Sequence, residues 1–308
     1  MKLSEFKKLS KIGLFLLINM AKRPPIIIIG MSRSGTGVLT KLLEGLGLFV
    51  GLRKERNHEA LFFEKLNKWL LYQCSGGLEN PKTIKYLLED KESRRLFANF
   101  LVFIMKTPLA ISFLGLSKYL RYHTPANLDI PWGWKDPRNT YTLPIWLDIF
   151  PDAKVIHIYR HGVDVVHSLW VRREKGLSRL KDRHPRFRSF YWFYLTLKFV
   201  QRQRTFVDLR CSSMEEALTM WEEYIQEARS NAGKLKERAM EIKYEDLLTE
   251  PVFVLRNLAN FCELDTSTRE IELITQDLKR NRAYAYIDDP KLKEFASSVA
   301  DRLKIYGY

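Results

Sequence analysis

The chain has 308 residues, 46% hydrophobic and 28% charged, with a formal net charge of +15. That length suits one large α/β domain or two smaller ones, with ample apolar content for a core and a charge content ordinary for a soluble protein. Its three cysteines, Cys74, Cys211 and Cys262, are far apart and form no CxxC pair, which excludes a disulfide framework and a cysteine zinc site and points to a reduced compartment. The positive charge calls for an anionic partner, and nucleic acid, an anionic membrane surface and an anionic small ligand all fit.

The first 23 residues form a basic, amphipathic segment with an apolar run from Ile12 to Met20. The run is shorter than the ~20 residues that span a bilayer, and Asn19-Met20-Ala21-Lys22 is a poor cleavage site for a signal peptide. An interfacial helix with Lys2, Lys7, Lys8 and Lys11 on its polar side fits the pattern; so does a helix packed on its own domain.

Pro24 to Glu44 is the most informative stretch. Ile26 to Ile29 is a β-branched apolar run of the kind buried on both faces of a parallel sheet. Gly30 to Gly37 is rich in Gly, Ser and Thr, and from Val38 the apolar residues Val38, Leu39, Leu42 and Leu43 fall at helical spacing. A strand running through a glycine-rich loop into a helix makes an anion cradle, because backbone N–H groups and the positive helix end converge there. The spacing Gly30-x-x-x-x-Gly35 is that of a Walker loop, but Thr36 stands where the phosphate-binding Lys belongs. Arg33 can supply the missing charge, so the loop reads as a phosphate site distinct from ordinary ATP or GTP hydrolysis.

Leu46 to Gly51 reads as a short strand or turn. A helix is expected from about His58 to Leu71, with further helices between Pro81 and Tyr122 broken near Pro108, together a helical insertion over residues 58–125. Lys154 to Tyr159 is a second strand, ending at Arg160. A helix follows from Val163, with Asp164 near its N-terminus and Ser168 about a turn inside. An Arg at the carboxyl end of a parallel strand occupies the edge where open α/β sheets bind ligands, and with Ser168 it suits a second phosphate. A second insertion spans 171–235. Its part 171–210 is basic and aromatic, a pattern shared by single-strand nucleic-acid binders and by helices with one core face and one solvated basic face. From Ser213 to Gly233 a helix opens on a Ser213/Glu216 capping box. Met240 to Tyr244 reads as a strand, Pro251 to Cys262 as a helix, and the LKRNRAYAYIDD stretch as a segment that closes over the ligand.

These residues resemble the sulfotransferases that use 3′-phosphoadenosine 5′-phosphosulfate (PAPS). GMSRSGTGVL is similar to their 5′-phosphosulfate loop, and IYRHGVDVVHSL to their 3′-phosphate segment, an Arg followed eight positions later by Ser. WKDPRNTYTLPIWLDIFPDAKVIHIYR is similar to tyrosylprotein sulfotransferases and bacterial relatives, and IKYEDLLTEPVFVLRNLANFCEL to the segment after the second ligand site. Together they cover roughly half the chain in family order. The resemblance implies an α/β fold, a P-loop-like doubly wound parallel sheet flanked by helices, as a single domain over 24–308. It implies that Arg33, Ser34, Gly35, Thr36 and Gly37 hold the 5′ side of PAPS, and Arg160 and Ser168 the 3′-phosphate. The chain departs at Gly37, where many relatives carry a second Thr.

Arg33 and Lys135 are the candidates for stabilising charge around the transferred group. For the general base, Glu55, Glu59, Glu64 and the adjacent His58 all lie in the region implied by the tyrosylprotein relatives. Glu59 is favoured because it is expected near the start of the helix beginning about His58. The chemistry needs no metal. The expected acceptor is a small molecule, glycan, lipid or peptide, nucleic acid is disfavoured as a partner, and the expected location is cytoplasmic with possible peripheral membrane contact. The competing readings are a P-loop-type NTP-dependent kinase and a basic membrane- or nucleic-acid-binding module.

Overall fold

The computed structural model describes residues 21–186 and 209–308, with positions 193, 196, 197 and 200 between them. The expected N-terminal amphipathic segment up to Met20, and most of the basic stretch 171–210, lie outside the described residues.

The described chain runs β1 (Ile26–Ile29), α1 (Thr36–Gly45), α2 (Leu61–Gln73), α3 (Ile84–Glu89), α4 (Lys91–Met105), α5 (Ile111–Tyr122), β2 (Gly133–Lys135), α6 (Asn139–Ile149) and β3 (Lys154–Tyr159). It continues through α7 (Gly162–Arg186), α8 (Met214–Ala232), β4 (Ala239–Lys243), α9 (Tyr244–Thr249), α10 (Pro251–Phe261), α11 (Thr268–Thr275), α12 (Pro290–Ser298) and α13 (Ala300–Lys304). It divides into two compact units, one of residues up to Arg160 plus Tyr224–Ala283, the other of His161–Glu223 plus Tyr284–Tyr308.

The first unit contains the sheet, in strand order β2-β1-β3-β4 with every pairing parallel. From β1 the chain reaches the neighbour on one side, then crosses back to β3 and β4 on the other, the doubly wound pattern whose ligand crevice lies outside the carboxyl ends of the central strands. Ile26 to Ile29 are all buried, which is why this strand carries no polar alternation. On one side Leu39, Leu42 and Leu43 of α1 join Ile156, Ile158, Leu255 and Leu258 in a continuous core. On another, Phe63 stacks on Trp134 at 4.0 Å between ring centroids, beside Trp132 and Trp146.

The structure departs from sequence expectation in particular places. Leu46 to Gly51 contributes one parallel bridge, Phe49 to Trp132, and no strand. Gly133–Lys135 is a strand that the sequence did not announce, because three residues are too few to show alternation. Helix α2 starts at Leu61, three residues later than expected. Glu59 therefore lies in the loop before it, where Lys54 and Ala60 form an antiparallel bridge and the Glu55 N–H donates to the Glu59 carbonyl at 2.8 Å.

The second unit is tied by aromatic and charged contacts. Trp221 packs edge-on to Tyr306 at 5.0 Å, and Arg302 grips Glu222 with two bonds of 2.8 Å. The Asp164 carboxylate accepts the N–H groups of Tyr286 and Ala285 at 2.8 and 3.2 Å, and His161 stacks on Tyr286 at 4.3 Å. The expected capping bond at the start of α8 is present, with the Glu216 N–H donating to Ser213 Oγ at 3.1 Å.

Candidate active site

All four strands deliver chemistry at their carboxyl ends. β1 ends at Gly30, β2 at Lys135 itself, β3 immediately before Arg160, and β4 immediately before Tyr244. Because Ile28 is in register with Lys135, the lysine lies one strand, or ~4.8 Å, from the root of the glycine loop.

The loop is held by the sheet rather than by its own side chains. Gly30 has φ 134°, and a Cβ there would stand 2.2 Å from the Ile158 carbonyl oxygen; its N–H donates to Thr140 Oγ1 at 3.1 Å. Gly35 has φ 90°, and a Cβ there would fall 2.1 Å from the Tyr244 ring. Arg33 is also left-handed, at φ 77°, and its side chain is exposed, while Ser34 and Thr36 are buried. Helix α1 begins at Thr36 with no side-chain cap and no acidic residue in its first turn. Its N-terminal N–H groups and positive dipole end are thus left to an anion. At Gly37 a Cβ would lie 3.1 Å from the Asn57 carbonyl oxygen, so that backbone crowds the space that a threonine side chain would need.

Lys135 and Glu59 meet. The ammonium nitrogen lies 3.0 Å from Glu59 Oε1, with side chains only 2% and 13% exposed. The other base candidates are differently engaged. Glu64 pairs with Lys68 at 2.5 Å and lies 3.9 Å from Arg138. His58 stands 3.7 Å from Glu44, and burial holds its pKa below the usual histidine value. Glu55 is exposed.

Beneath this pair is a buried polar network. The Asn67 side-chain amide donates to Asp136 Oδ2 at 3.0 Å and to Asn139 Oδ1 at 2.8 Å. Its Oδ1 accepts from Thr142 Oγ1 and Trp146 Nε1, both at 2.8 Å. Asp136 also accepts the Arg138 backbone N–H and guanidinium, both at 2.9 Å. Complete burial raises the pKa of Asp136, against the pull of Arg138. Burial works against the Arg138 charge too, but Asp136 and then Glu64 outweigh it and raise that pKa. Asn67 thereby links α2, just after the Glu59 loop, to the turn that carries Lys135. Sequence reading missed it, although a lone Asn on the helical face of Phe63, Leu66 and Leu70 is the signal of a buried hydrogen-bonding hub.

At the end of β3, Arg160 is 6% exposed. Its guanidinium donates to the Arg282 carbonyl at 2.8 Å and lies 5.0 Å from the centre of the Tyr244 ring. Tyr244, also missed, thus backs both Gly35 and Arg160. Ser168 belongs to the second unit, where it is half-buried on α7.

A family model described as the sulfotransferase family matches residues 24–184. The chain belongs to the sulfotransferase family. It is accordingly a transferase, and its P-loop-like α/β fold is the one the family resemblance implied. Solved structures similar to this sulfotransferase include the sulfotransferase domain from the curacin biosynthetic pathway, at 18% identity over 90% of this chain and 98% of that one, TM-score 0.47. The sulfotransferase domain from the Synechococcus PCC 7002 olefin synthase matches at 17% identity over 93% and 95%, TM-score 0.43. A sulfotransferase from Alicyclobacillus acidocaldarius matches at 16% over 91% and 92%, TM-score 0.45. No curated protein matches the chain.

Proposed function

We propose that this sulfotransferase takes its sulfuryl group from PAPS and passes it to a hydroxyl or amine by in-line transfer, as a single domain over 24–308. The observation that carries the reading is the 3.0 Å Lys135–Glu59 pair, nearly dry and one strand from an uncapped glycine loop. In this reading the backbone of Arg33, Ser34, Gly35, Thr36 and Gly37 holds the 5′-phosphosulfate, with the Arg33 guanidinium adding charge. Arg160 and Ser168 take the 3′-phosphate, the group that separates this donor from ATP.

The donor supplies a sulfur–oxygen bond that breaks as the acceptor oxygen or nitrogen bonds to sulfur, with phosphate as leaving group. Glu59 receives the acceptor's proton. A lysine ammonium has three N–H donors, so Lys135 can orient Glu59 with one and meet developing negative charge with another. As Glu59 takes up a proton its hold on Lys135 weakens, and the ammonium becomes freer for the leaving phosphate just when charge gathers there. The site is read as working without a metal, on a small-molecule, glycan, lipid or peptide acceptor, in the cytoplasm.

Titration of the purified chain with 3′-phosphoadenosine 5′-phosphate, AMP and ATP tests the donor assignment. A preference for the 3′-phosphorylated nucleotide that Arg160→Ala removes is expected. Equal or tighter binding of ATP overturns the assignment in favour of an NTP-dependent kinase.

A further inference from the structure

Helices α4 and α5 are apolar on two sides, and the core accounts for only one of them. Ala98, Leu101 and Met105 of α4, and Phe113 and Leu114 of α5, are buried. The opposite side of α4 carries Leu96, Phe100 and Phe103 at helical i, i+4, i+7 spacing, exposed by 65%, 38% and 63%. Leu109, Leu116 and Leu120 continue it past the bend, each exposed by more than 60%. A helix apolar all round belongs inside something, and side chains of this size clustered on one face differ from the single exposed apolar residues found on any soluble surface.

The charges around this face all have one sign. No Asp or Glu occurs from Ser93 to Leu128, whereas Arg94, Arg95, Lys106, Lys118 and Arg121 do. Arg94 is turned inward to Asp148, at 2.6 and 2.7 Å, while Arg95 and Lys106 are exposed. Among the described residues no single helix is long and apolar enough to cross a membrane; α4 with the segment Pro108–Tyr122 reaches the required apolarity together, but the two are bent by 69°. A bent pair whose inner side is committed to the core lies on a bilayer and does not cross it.

We infer that the outer face of α4 and α5 is a docking surface for an anionic lipid bilayer, with Leu96, Phe100, Phe103, Leu116 and Leu120 entering the headgroup–acyl boundary and Lys106 and Arg95 meeting lipid phosphates. The surface combines the two components of interfacial binding, buried apolar area and cationic attraction. A second copy of the chain is the poorer occupant, since a two-fold contact would bring this acid-free surface against itself. The surface is also joined to the catalytic edge, because the Leu52 N–H donates to the Phe113 carbonyl at 2.8 Å and the Arg53 N–H to the Ser112 carbonyl at 3.1 Å. Those residues begin the loop that carries Glu59. The inference does not depend on the donor assignment.

Sedimentation of the full chain with vesicles of phosphatidylcholine, with and without phosphatidylserine, tests it. Binding that requires phosphatidylserine is expected. Phe103→Asp combined with Leu116→Asp is expected to weaken that binding on the order of 100-fold, with the melting temperature kept because both side chains are solvent-exposed. Leu273→Asp, equally exposed on α11, leaves it unchanged. If the aspartate pair unfolds the chain, Leu96→Ala and Leu120→Ala probe the same face more gently, with losses of about five- to tenfold each. Wild-type binding by these variants overturns the proposal and moves the contact elsewhere in the chain. So does the absence of binding to either vesicle, or a wild-type dimer that the variants dissociate.

Discussion

Two clusters of ionised side chains border the sheet, and they are built differently. At the carboxyl end of β1 and β2, Glu59, Glu64, Lys135, Asp136 and Arg138 have side chains at most 13% exposed. Across β3 and β4, His157 Nδ1 lies 2.8 Å from Glu241, which Arg229 also grips at 2.9 Å, and there Glu241 and Arg229 are 37% and 34% exposed. A half-open cluster is the ordinary kind, contributing ~1 kcal/mol or less per pair. The dry cluster is costly to assemble and often no more stabilising than hydrophobic residues of the same shape. Its charges are explained by what they position, a lysine and a carboxylate at the catalytic edge.

The comparison is broken hardest at Glu59. Glu59→Gln keeps the shape and an acceptor for Lys135, and turnover is expected to fall about 10²–10⁴-fold with nucleotide binding kept. Steady-state sulfuryl transfer alongside equilibrium titration checks it, and near-normal turnover removes Glu59 as the base. Next comes the support of the pair. Asn67→Ala leaves Asp136, Thr142 and Trp146 each short of a buried partner, and is expected to lower stability by about 2–4 kcal/mol in denaturant unfolding. Gly35→Ala is expected to lower stability by about 1–3 kcal/mol and to weaken nucleotide binding as well, because the φ of 90° strains any side chain and the new methyl displaces Tyr244.

The smallest effect falls on the half-open cluster. Burial alone would raise the pKa of Glu241, but hydrogen bonds from His157 and Arg229 outweigh it and hold the value at about 2, against an ordinary 4.5. A carboxylate depressed in this way stabilises the fold above its unfolded pKa, and that contribution disappears as pH falls from about 4.5 towards 2. Glu241→Gln is therefore expected to change stability at neutral pH by no more than about 1 kcal/mol, and to flatten the loss of stability in that acid window in pH-dependent melts. Asp136 carries the opposite sign. Its pKa is raised by burial, so its charge weighs against folding once pH rises above its unfolded pKa.

The central strands and the loop were legible because each has a local signature. Four β-branched residues before a glycine-rich loop need no distant partner to be recognised, and KVIHIY before Arg160 is nearly as plain. Strand β2 was hidden because it is defined by its neighbour β1 and not by its own three residues. Lys135 and Glu59 were both named as candidates from the family resemblance, but their contact joins residues 76 apart in the chain, which no spacing rule encodes. The start of α2 was placed too early because Glu59 and Ala60 pass as helix formers, whereas the bridge from Lys54 to Ala60 holds them extended. Asn67 and Tyr244 were missed for a related reason: their importance lies in what packs against them.

The way Gly30 and Gly35 sit has a thermodynamic consequence. With the first pressed on the Ile158 carbonyl and the second on the Tyr244 ring, the loop between them is shaped by the sheet and not by a visitor. An arriving anion meets dipoles already aimed, and little of its binding free energy is diverted to ordering the chain. Calorimetry of nucleotide binding to this loop is then expected to show only a small heat-capacity change, without the large negative value that marks folding coupled to association.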